Sequence, residues 1–286
     1  MLEEMRERKY NDYARIIQKA FKKHFARRQR DKEKLEASNL VVGKKQRRKN
    51  SLNRNFVGDY VGVGHVPSLM TLIGRKEKIV FAQTVKKYDR NFKTNQRCLI
   101  LTETTLFLIE TRDKVKSGNN NNNNKETCRE TIKRKIDLEK IDGVTLSTLK
   151  DDLIVIRVRE SYDSLLEITF KTEFLYCLSK KYGSRVGSPL TITFSNKFEF
   201  KIKKEDWGGG GGMRFVNFIQ SESDNRGELE IFKSSGKVLN VTVSRGLPNT
   251  SGTPARSFYL NLKIVLKKKK KIIYYFTADV FSSGKK

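Results

Sequence analysis

The sequence predicts an α+β chain, a long N-terminal helix followed by a β-rich domain. Three observations carry this. Residues 3 to about 38 contain neither Pro nor Gly and are dominated by good helix formers. From Ile79 onward, short runs rich in β-branched and aromatic residues recur between polar turns. One helical stretch, Thr172 to Tyr182, interrupts those runs. At 286 residues the chain can hold one large domain or two smaller ones with a substantial core.

In the N-terminal helix Tyr10, Tyr13, Ile17, Ala20, Phe21, His24 and Phe25 fall at three- and four-residue steps on one face. The other faces are cationic, with Arg15, Lys19, Lys22, Lys23, Arg27, Arg28 and Arg30. Such a helix has too little apolar surface to fold on itself. It suits an acidic groove with an apolar floor, and a lipid interface is the competing use. The run Ile17-Gln18-Lys19-Ala20-Phe21-Lys22-Lys23-His24-Phe25-Ala26-Arg27-Arg28 resembles an IQ motif. Lys22 and Arg27 take its two basic places, and Lys23 stands where the motif often has Gly. The resemblance implies a calmodulin-like light chain, held by Ile17, Gln18, Phe21, Lys22, Phe25 and Arg27.

Residues 39–55 read as a polar, basic linker, in which Arg48-Lys49-Asn50-Ser51 would suit a basophilic kinase. The β pattern opens with Ile79-Val80-Phe81 and continues into a basic hairpin, Val85 to Arg97, which concentrates Lys86, Lys87, Arg90, Lys93 and Arg97. Hairpin ends splay side chains in a common direction, so these cations form either a solvated surface or a convergent anion site. Cys98 to Thr102 is the return strand, and Leu106 to Ile109 is the next. Asn119 to Asn124 is a low-complexity run expected as a disordered insertion. Strands resume at Ile136–Leu138, Val144–Leu146, Leu153–Val158 and Leu165–Phe170, before the helix of Phe174, Leu175, Leu178 and Tyr182, which Gly183 is expected to end. About seven strands and then a helix is the order of a pleckstrin-homology barrel, here over about 75–186. Residues 187–286 are expected as a further antiparallel β extension. Gly208 to Gly212 is a hairpin tip beside Trp207, which reads as packing on the sheet rather than entering a membrane interface. Lys267 to Lys271 reads as a solvated turn that adds charge to one edge.

Ser51-Leu52-Asn53-Arg54-Asn55-Phe56-Val57-Gly58-Asp59-Tyr60-Val61-Gly62, taken with the helix before it, Lys87-Tyr88-Asp89-Arg90 and Leu99-Ile100-Leu101-Thr102, resembles the tail homology one domain of class I unconventional myosins. The resemblance covers nearly the whole chain. No Gly-x-x-x-x-Gly-Lys-Ser/Thr loop is present. The resemblance therefore implies the neck and tail of a short-tailed class I myosin, cut from a longer polypeptide and lacking its motor ATPase. Its parts would be a neck helix over 1–38, a linker over 39–55 and a tail domain over 56–286. The resemblance also implies that the hairpin binds phosphoinositide phosphates. Lys87 and Arg97 match best, and Asn95 stands where a further basic residue is expected. The lipid-binding set is Lys86, Lys87, Arg90, Lys93 and Arg97, with Lys267, Lys268 and Lys269 as a diffuse patch. Actin would be reached through the absent motor. The expected location is cytoplasmic, on the actin cytoskeleton and peripheral at plasma or endosomal membranes.

Composition agrees with an anionic partner. Lys and Arg number 60 against 32 Asp and Glu, a formal charge of +28, which bears on partners rather than fold. Nucleic acid is the alternative partner, from the charge and interleaved aromatics, but no recognised RNA or DNA signature accompanies them. Cys98, Cys128 and Cys177 are scattered and odd in number, which suits neither a disulfide framework nor a metal cluster. His24 and His65 are the only histidines, and no catalytic constellation can be assembled. The chain is expected to be no enzyme and to need no cofactor. Asp151 and Asp152 read as solvated turn residues. No apolar run approaches the ~20 residues a membrane helix needs.

Overall fold

In a computed structural model, residues 2–112, 129–202, 212–221 and 230–244 are described. Helix α1 spans Leu2–Asn39, as the uninterrupted helix formers require. Its last turns enter the main core through Ala37, and Val41 follows just beyond. Lys180 pairs with Glu33 at 3.6 Å, and the Tyr176 hydroxyl donates to Glu36 at 2.9 Å.

Eight strands form the first sheet: β1 (Ile79–Tyr88), β2 (Thr94–Thr102), β3 (Thr105–Arg112), β4 (Arg129–Asp137), β5 (Ile141–Leu146), β6 (Leu153–Val158), β7 (Ser164–Glu167) and β8 (Ile192–Phe194). Their order is β4-β3-β2-β1-β7-β6-β5-β8. Helix α2 is Pro67–Ile73 and α3 is Lys171–Val186. The strands are apolar on both sides because both faces are covered. Phe81, Val85, Leu99, Leu101, Leu106 and Leu108 turn inward onto Phe174, Leu175, Leu178 and Tyr182 of α3. Ala82, Cys98, Ile100, Phe107 and Ile109 turn outward under Val63, Leu69 and Ile73. The segment before α2 is tied down by Glu173. This carboxylate accepts from Gly58 N at 2.9 Å, the Tyr60 hydroxyl at 2.6 Å and Asn53 N at 3.3 Å. Gly58 has φ 78°, and a Cβ there would meet Val80 O at 2.9 Å, so no larger residue fits.

A second sheet, ordered β11-β12-β10-β9, is built from β9 (Lys197–Lys201), β10 (Met213–Ser221), β11 (Glu230–Ser235) and β12 (Val238–Ser244). Phe198, Phe200, Val216, Phe218, Leu239 and Val241 pack against Leu153, Val155, Leu165, Tyr88 and Phe92 of the first sheet and its hairpin.

Several expectations are corrected. The first sheet is open rather than a closed barrel, because β4 and β8 lie at its opposite ends. The extension is not purely antiparallel: β10 runs parallel to β12, and β8 joins the first sheet parallel to β5. Helix α3 runs through Gly183 and ends at Gly187, whose φ of 78° gives the left-handed turn that stops a helix. Residues 39–55, expected as a polar, basic linker, dock on the domain through Val41, Ser51 and the shielded side chain of Lys45. Asn119–Asn124, Trp207, Cys128, Lys267–Lys271 and the strands expected at 258–266 and 272–276 lie outside the described residues.

Candidate anion site at the mouth of the first sheet

On the inner face Val85, Leu99, Leu108 and Leu166 enter the core. Strand side chains repeat every second residue on one face. Two positions further toward the β1–β2 turn, the same face carries Lys87, Arg97, Glu110 and Ser164. Lys87 lies opposite Asn95 and Leu166, and Arg97 lies opposite Val85. Strand β4 adds Arg134, opposite Leu108, and a register shift between Leu108 and Ile109 brings Lys133 to the same rim. A ring of alternating positions thus changes from core to charge at one end of the sheet.

Arg134 is buried and held by the β6–β7 turn. Its guanidinium donates to Ser164 Oγ at 2.6 Å, to the Asp163 carbonyl at 3.2 Å and to the Tyr162 carbonyl. The Tyr162 ring lies 3.7 Å from its Cζ and 5.2 Å from the Lys87 ammonium. Burial pushes Lys87 down to about 8, and the positive charges of Arg134 and Arg97 push the same way. Both charged neighbours acting on Lys87 are cations. Arg97 pairs with Glu110 at 3.0 Å and donates to the Gln96 carbonyl at 2.7 Å. Its Nε is buried and makes no hydrogen bond among the described residues. Glu110 also pairs with Lys133 at 3.1 Å. Lys87, Arg97, Lys133 and Arg134 therefore share this rim with Glu110.

The other residues of the expected lipid set fall elsewhere. Lys86 alternates to the opposite side of β1 and pairs with Glu167 at 2.9 Å. Arg90 and Lys93 are exposed at the tip. The tip itself is pinned. Asp89 Oδ1 accepts from Asn91 N at 2.8 Å and Lys93 N at 2.9 Å. Phe92, at φ 61°, is buried against the Phe200 ring, and Arg214 donates to the Arg90 carbonyl at 2.8 Å. The sequence reading missed Lys133 and Arg134. The signal was the run Ile132-Lys133-Arg134-Lys135-Ile136, three cations set between two strand-forming apolar residues.

A second buried cation cluster lies where residues 45–51 dock. Lys45 donates to Asp151 at 2.5 Å, to Ser147 Oγ at 2.8 Å, and to the carbonyls of Ser147 and Leu149. Lys171 donates to the Asp151 carbonyl at 2.5 Å and its carboxylate at 3.1 Å, and Arg48 pairs with Asp152. Burial and the Lys171 ammonium push Lys45 down to about 7, outweighing Asp151. Burial would raise Asp151, but the charges of Lys171 and Lys45 and hydrogen bonds from Lys45 and Ser147 hold it at about 2. Asp151 and Asp152 are thus buried partners of the segment read as a linker, not solvated turn residues. Ser51, in the expected kinase motif, is also buried. Its hydroxyl donates to the Arg48 carbonyl at 2.7 Å and lies 2.9 Å from Thr172 Oγ1.

On α1 the expected light-chain residues are uncovered. Ile17, Phe21 and Phe25 are 67%, 68% and 64% exposed, and Gln18, Lys22 and Arg27 are exposed beside them.

A family profile described as unconventional myosin tail, actin- and lipid-binding, matches residues 47–248. The chain is 29% identical over 264 residues to Myosin IB heavy chain of Dictyostelium discoideum, covering 91% of this chain and 22% of that protein. It is 31% identical over 258 residues to Myosin IC heavy chain of Acanthamoeba castellanii, covering 87% and 20%. It is 30% identical over 221 residues to unconventional myosin-Ia of Homo sapiens, covering 74% and 19%. The chain spans about a fifth of the length of these relatives. Among solved structures, the hSac2 domain from human phosphoinositide phosphatase Sac2 aligns over 46% of this chain and 85% of that one, at 15% identity and a TM-score of 0.32.

Proposed function

The chain belongs to the unconventional myosin tail family of class I myosins, and from that premise we propose that its cationic mouth takes the phosphates of an acidic phospholipid headgroup while the stripe on α1 takes a calmodulin-like light chain. The family is described as actin- and lipid-binding in the tail itself, so the tail is an actin partner in its own right, beside any contact made through a motor. In this reading the chain links an actin-based motor to membranes on the cytoplasmic side.

The observation that carries the lipid reading is Lys87, part-buried with Arg97 and Arg134 as the charges acting on it. Desolvated like charges are costly until an anion arrives. A phosphate gives all three cations one acceptor group, through charge-assisted hydrogen bonds about twice as strong as neutral ones. The succession of seven strands and α3 supports reading this mouth as a pleckstrin-homology-like headgroup site in an open sheet. Arg90, Lys93 and the lysines Lys267, Lys268 and Lys269 would add a diffuse attraction of ~1 kcal/mol per charge at an anionic bilayer.

The test compares two double variants, Lys87→Ala with Arg97→Ala, and Lys267→Ala with Lys268→Ala. Affinity is measured on phosphatidylinositol bisphosphate and phosphatidylserine vesicles of equal surface charge, with circular dichroism confirming the fold. The mouth variant should lose clearly more phosphoinositide binding than the lysine-run variant. Equal losses on both membranes would overturn the site. For the helix, Ile17→Ala with Phe21→Ala should abolish pull-down of calmodulin, and unchanged capture would remove that part of the proposal.

A further inference from the structure

Among the described residues Glu110 pairs directly with two cations of this rim, Arg97 and Lys133, while Asp163 acts on Arg134 from the β6–β7 turn. Glu110 lies two positions beyond the core residue Leu108 on the same strand face, bridging Arg97 at 3.0 Å and Lys133 at 3.1 Å. Two of the three side chains are mostly shielded from water, Arg97 at 14% exposed and Glu110 at 16%, while Lys133 is exposed at the outer edge. Shielded pairs are screened less by salt than surface pairs are. In this position the carboxylate does what a ligand phosphate would do. Its Oε1 faces Arg97 and its Oε2 faces Lys133, and it offsets one of the rim's positive charges.

We propose that Glu110 is the affinity-setting residue of the mouth, a built-in competitor that a headgroup phosphate must displace or tolerate in order to engage Arg97 and Lys133. The inference rests on the headgroup reading above and deepens it. The ligand class follows from the charge. A phosphodiester carries a single negative charge like the carboxylate, so exchanging one for the other gains little. A phosphomonoester carries about −1.5 to −2 at neutral pH and three acceptor oxygens, so it gains by the exchange. The site therefore answers to phosphomonoester groups, as on a polyphosphorylated inositol headgroup, at an affinity held below what its cations alone would give. If the carboxylate stays in place, it repels the more highly charged ligand more. A displaced carboxylate is a cost common to every anion, so the selective gain comes from the route in which it stays, where its removal relieves the phosphomonoester of the larger repulsion.

The experiment uses Glu110→Gln, which keeps shape and removes the charge. Its control is Glu167→Gln, which removes a carboxylate from the same end of the sheet, where Glu167 pairs with Lys86 at 2.9 Å and Tyr88 at 3.1 Å. Affinities are measured on vesicles carrying phosphatidylinositol bisphosphate and on phosphatidylserine vesicles of equal surface charge. Glu110→Gln should bind the first more than fivefold tighter, beyond the roughly fivefold that one diffuse charge contributes at an anionic bilayer, with a smaller gain on the second. Glu167→Gln should gain at most that diffuse share, and equally on both. Soluble inositol trisphosphate should displace Glu110→Gln from vesicles at lower concentration than it displaces the wild type, which assigns the gain to the headgroup phosphates rather than to the bilayer. Glu110→Asp, one methylene shorter, withdraws the carboxylate from Arg97 and should give part of the gain. Thermal melting establishes that both position-110 variants are folded. Equal gains from the Gln variants at 110 and 167, with wild-type discrimination between membranes intact, overturn the role of Glu110 alone. A wild type that binds both membranes equally overturns the headgroup site and Glu110 with it.

Discussion

Two clusters of cations sit on the same sheet, and they differ in what answers them. Around Asp151, the cations Lys45, Lys171 and Arg48 meet two carboxylates and a set of backbone carbonyls. At the mouth, Arg97 and Lys133 share Glu110, Arg134 is held by the β6–β7 turn, and Lys87 lies between Arg97 and Arg134. The first cluster is closed by the chain itself and holds residues 45–51 to the core. The second leaves positive charge in excess where it can be reached from outside. A run of lysines and arginines in the sequence looks the same in both places. What separates a clamp from a binding site is the carboxylates and carbonyls that the fold brings to each.

The strongest way to break this contrast is to remove the carboxylate from the clamp. Asp151 is completely buried between two ammonium groups. Deleting one member of such a set leaves uncompensated charge in the interior, a loss of about 3–5 kcal/mol. Asp151→Ala should therefore lower the unfolding free energy by that amount in urea titration, while the folded fraction still discriminates between lipid vesicles. A loss below about 1 kcal/mol, the range of exposed pairs, would mean that the cluster is no clamp. Acid should act in the same direction. Asp151 titrates at about 2 in the fold against an ordinary 3.8. Its depressed value stabilises the fold above the ordinary value, and that contribution disappears as pH falls from about 4 through 2.

A smaller effect sharpens the other half of the comparison. Lys87 is pushed down to about 8, so its ammonium is present below that pH and lost above it. Vesicle affinity should fall as pH rises from about 7 to 9, by roughly tenfold if one charge-assisted hydrogen bond of about 1.5 kcal/mol is lost. A bound anion favours the ammonium and moves the midpoint upward. Lys87→Arg, which stays charged throughout, should flatten the profile. A wild-type affinity that is constant over this range would show that Lys87 is not in contact with the headgroup.

The two clusters were unequally legible in the sequence. The hairpin was readable because alternation fixes faces: Val85 and Lys87 share one side of β1, and Leu99 and Arg97 share one side of β2. Arg134 escaped because the register shift at Lys133 breaks that alternation. Ile132 packs on the outer face and Ile136 on the inner one, so counting by twos along β4 gives the wrong side. The clamp was illegible for another reason. Lys45 and Asp151 are 106 residues apart, and nothing local in Lys150-Asp151-Asp152 distinguishes a buried pair from a solvated turn. The long helix, most of the apolar strands and α3 were visible in periodicity, whereas α2 and most of β4 were not. The parallel pairing of β10 with β12 and the open edge between β4 and β8 depend on contacts that periodicity does not encode.

The smallest expected effect separates the mouth from its surroundings most cleanly, because it turns on two adjacent residues. Lys86 and Lys87 carry the same charge on the same strand and differ by one step of the pleat. That step sends Lys87 toward Arg97 and Arg134, and sends Lys86 to the other side, 58% exposed and already paired with Glu167. If the surface attracted membranes only through its total charge, Lys86→Ala and Lys87→Ala would lose the same affinity. If the mouth is a formed site, Lys86→Ala loses only its long-range share, at most the ~1 kcal/mol of a charge near an anionic bilayer and less at higher salt. Its loss should also be equal on phosphatidylserine and phosphatidylinositol bisphosphate vesicles, while that of Lys87→Ala is larger on the second. Stability should barely change in Lys86→Ala, since exposed ion pairs contribute about 0–1 kcal/mol. Matching losses from the two variants on both membranes would erase the distinction between the mouth and the rest of the basic surface.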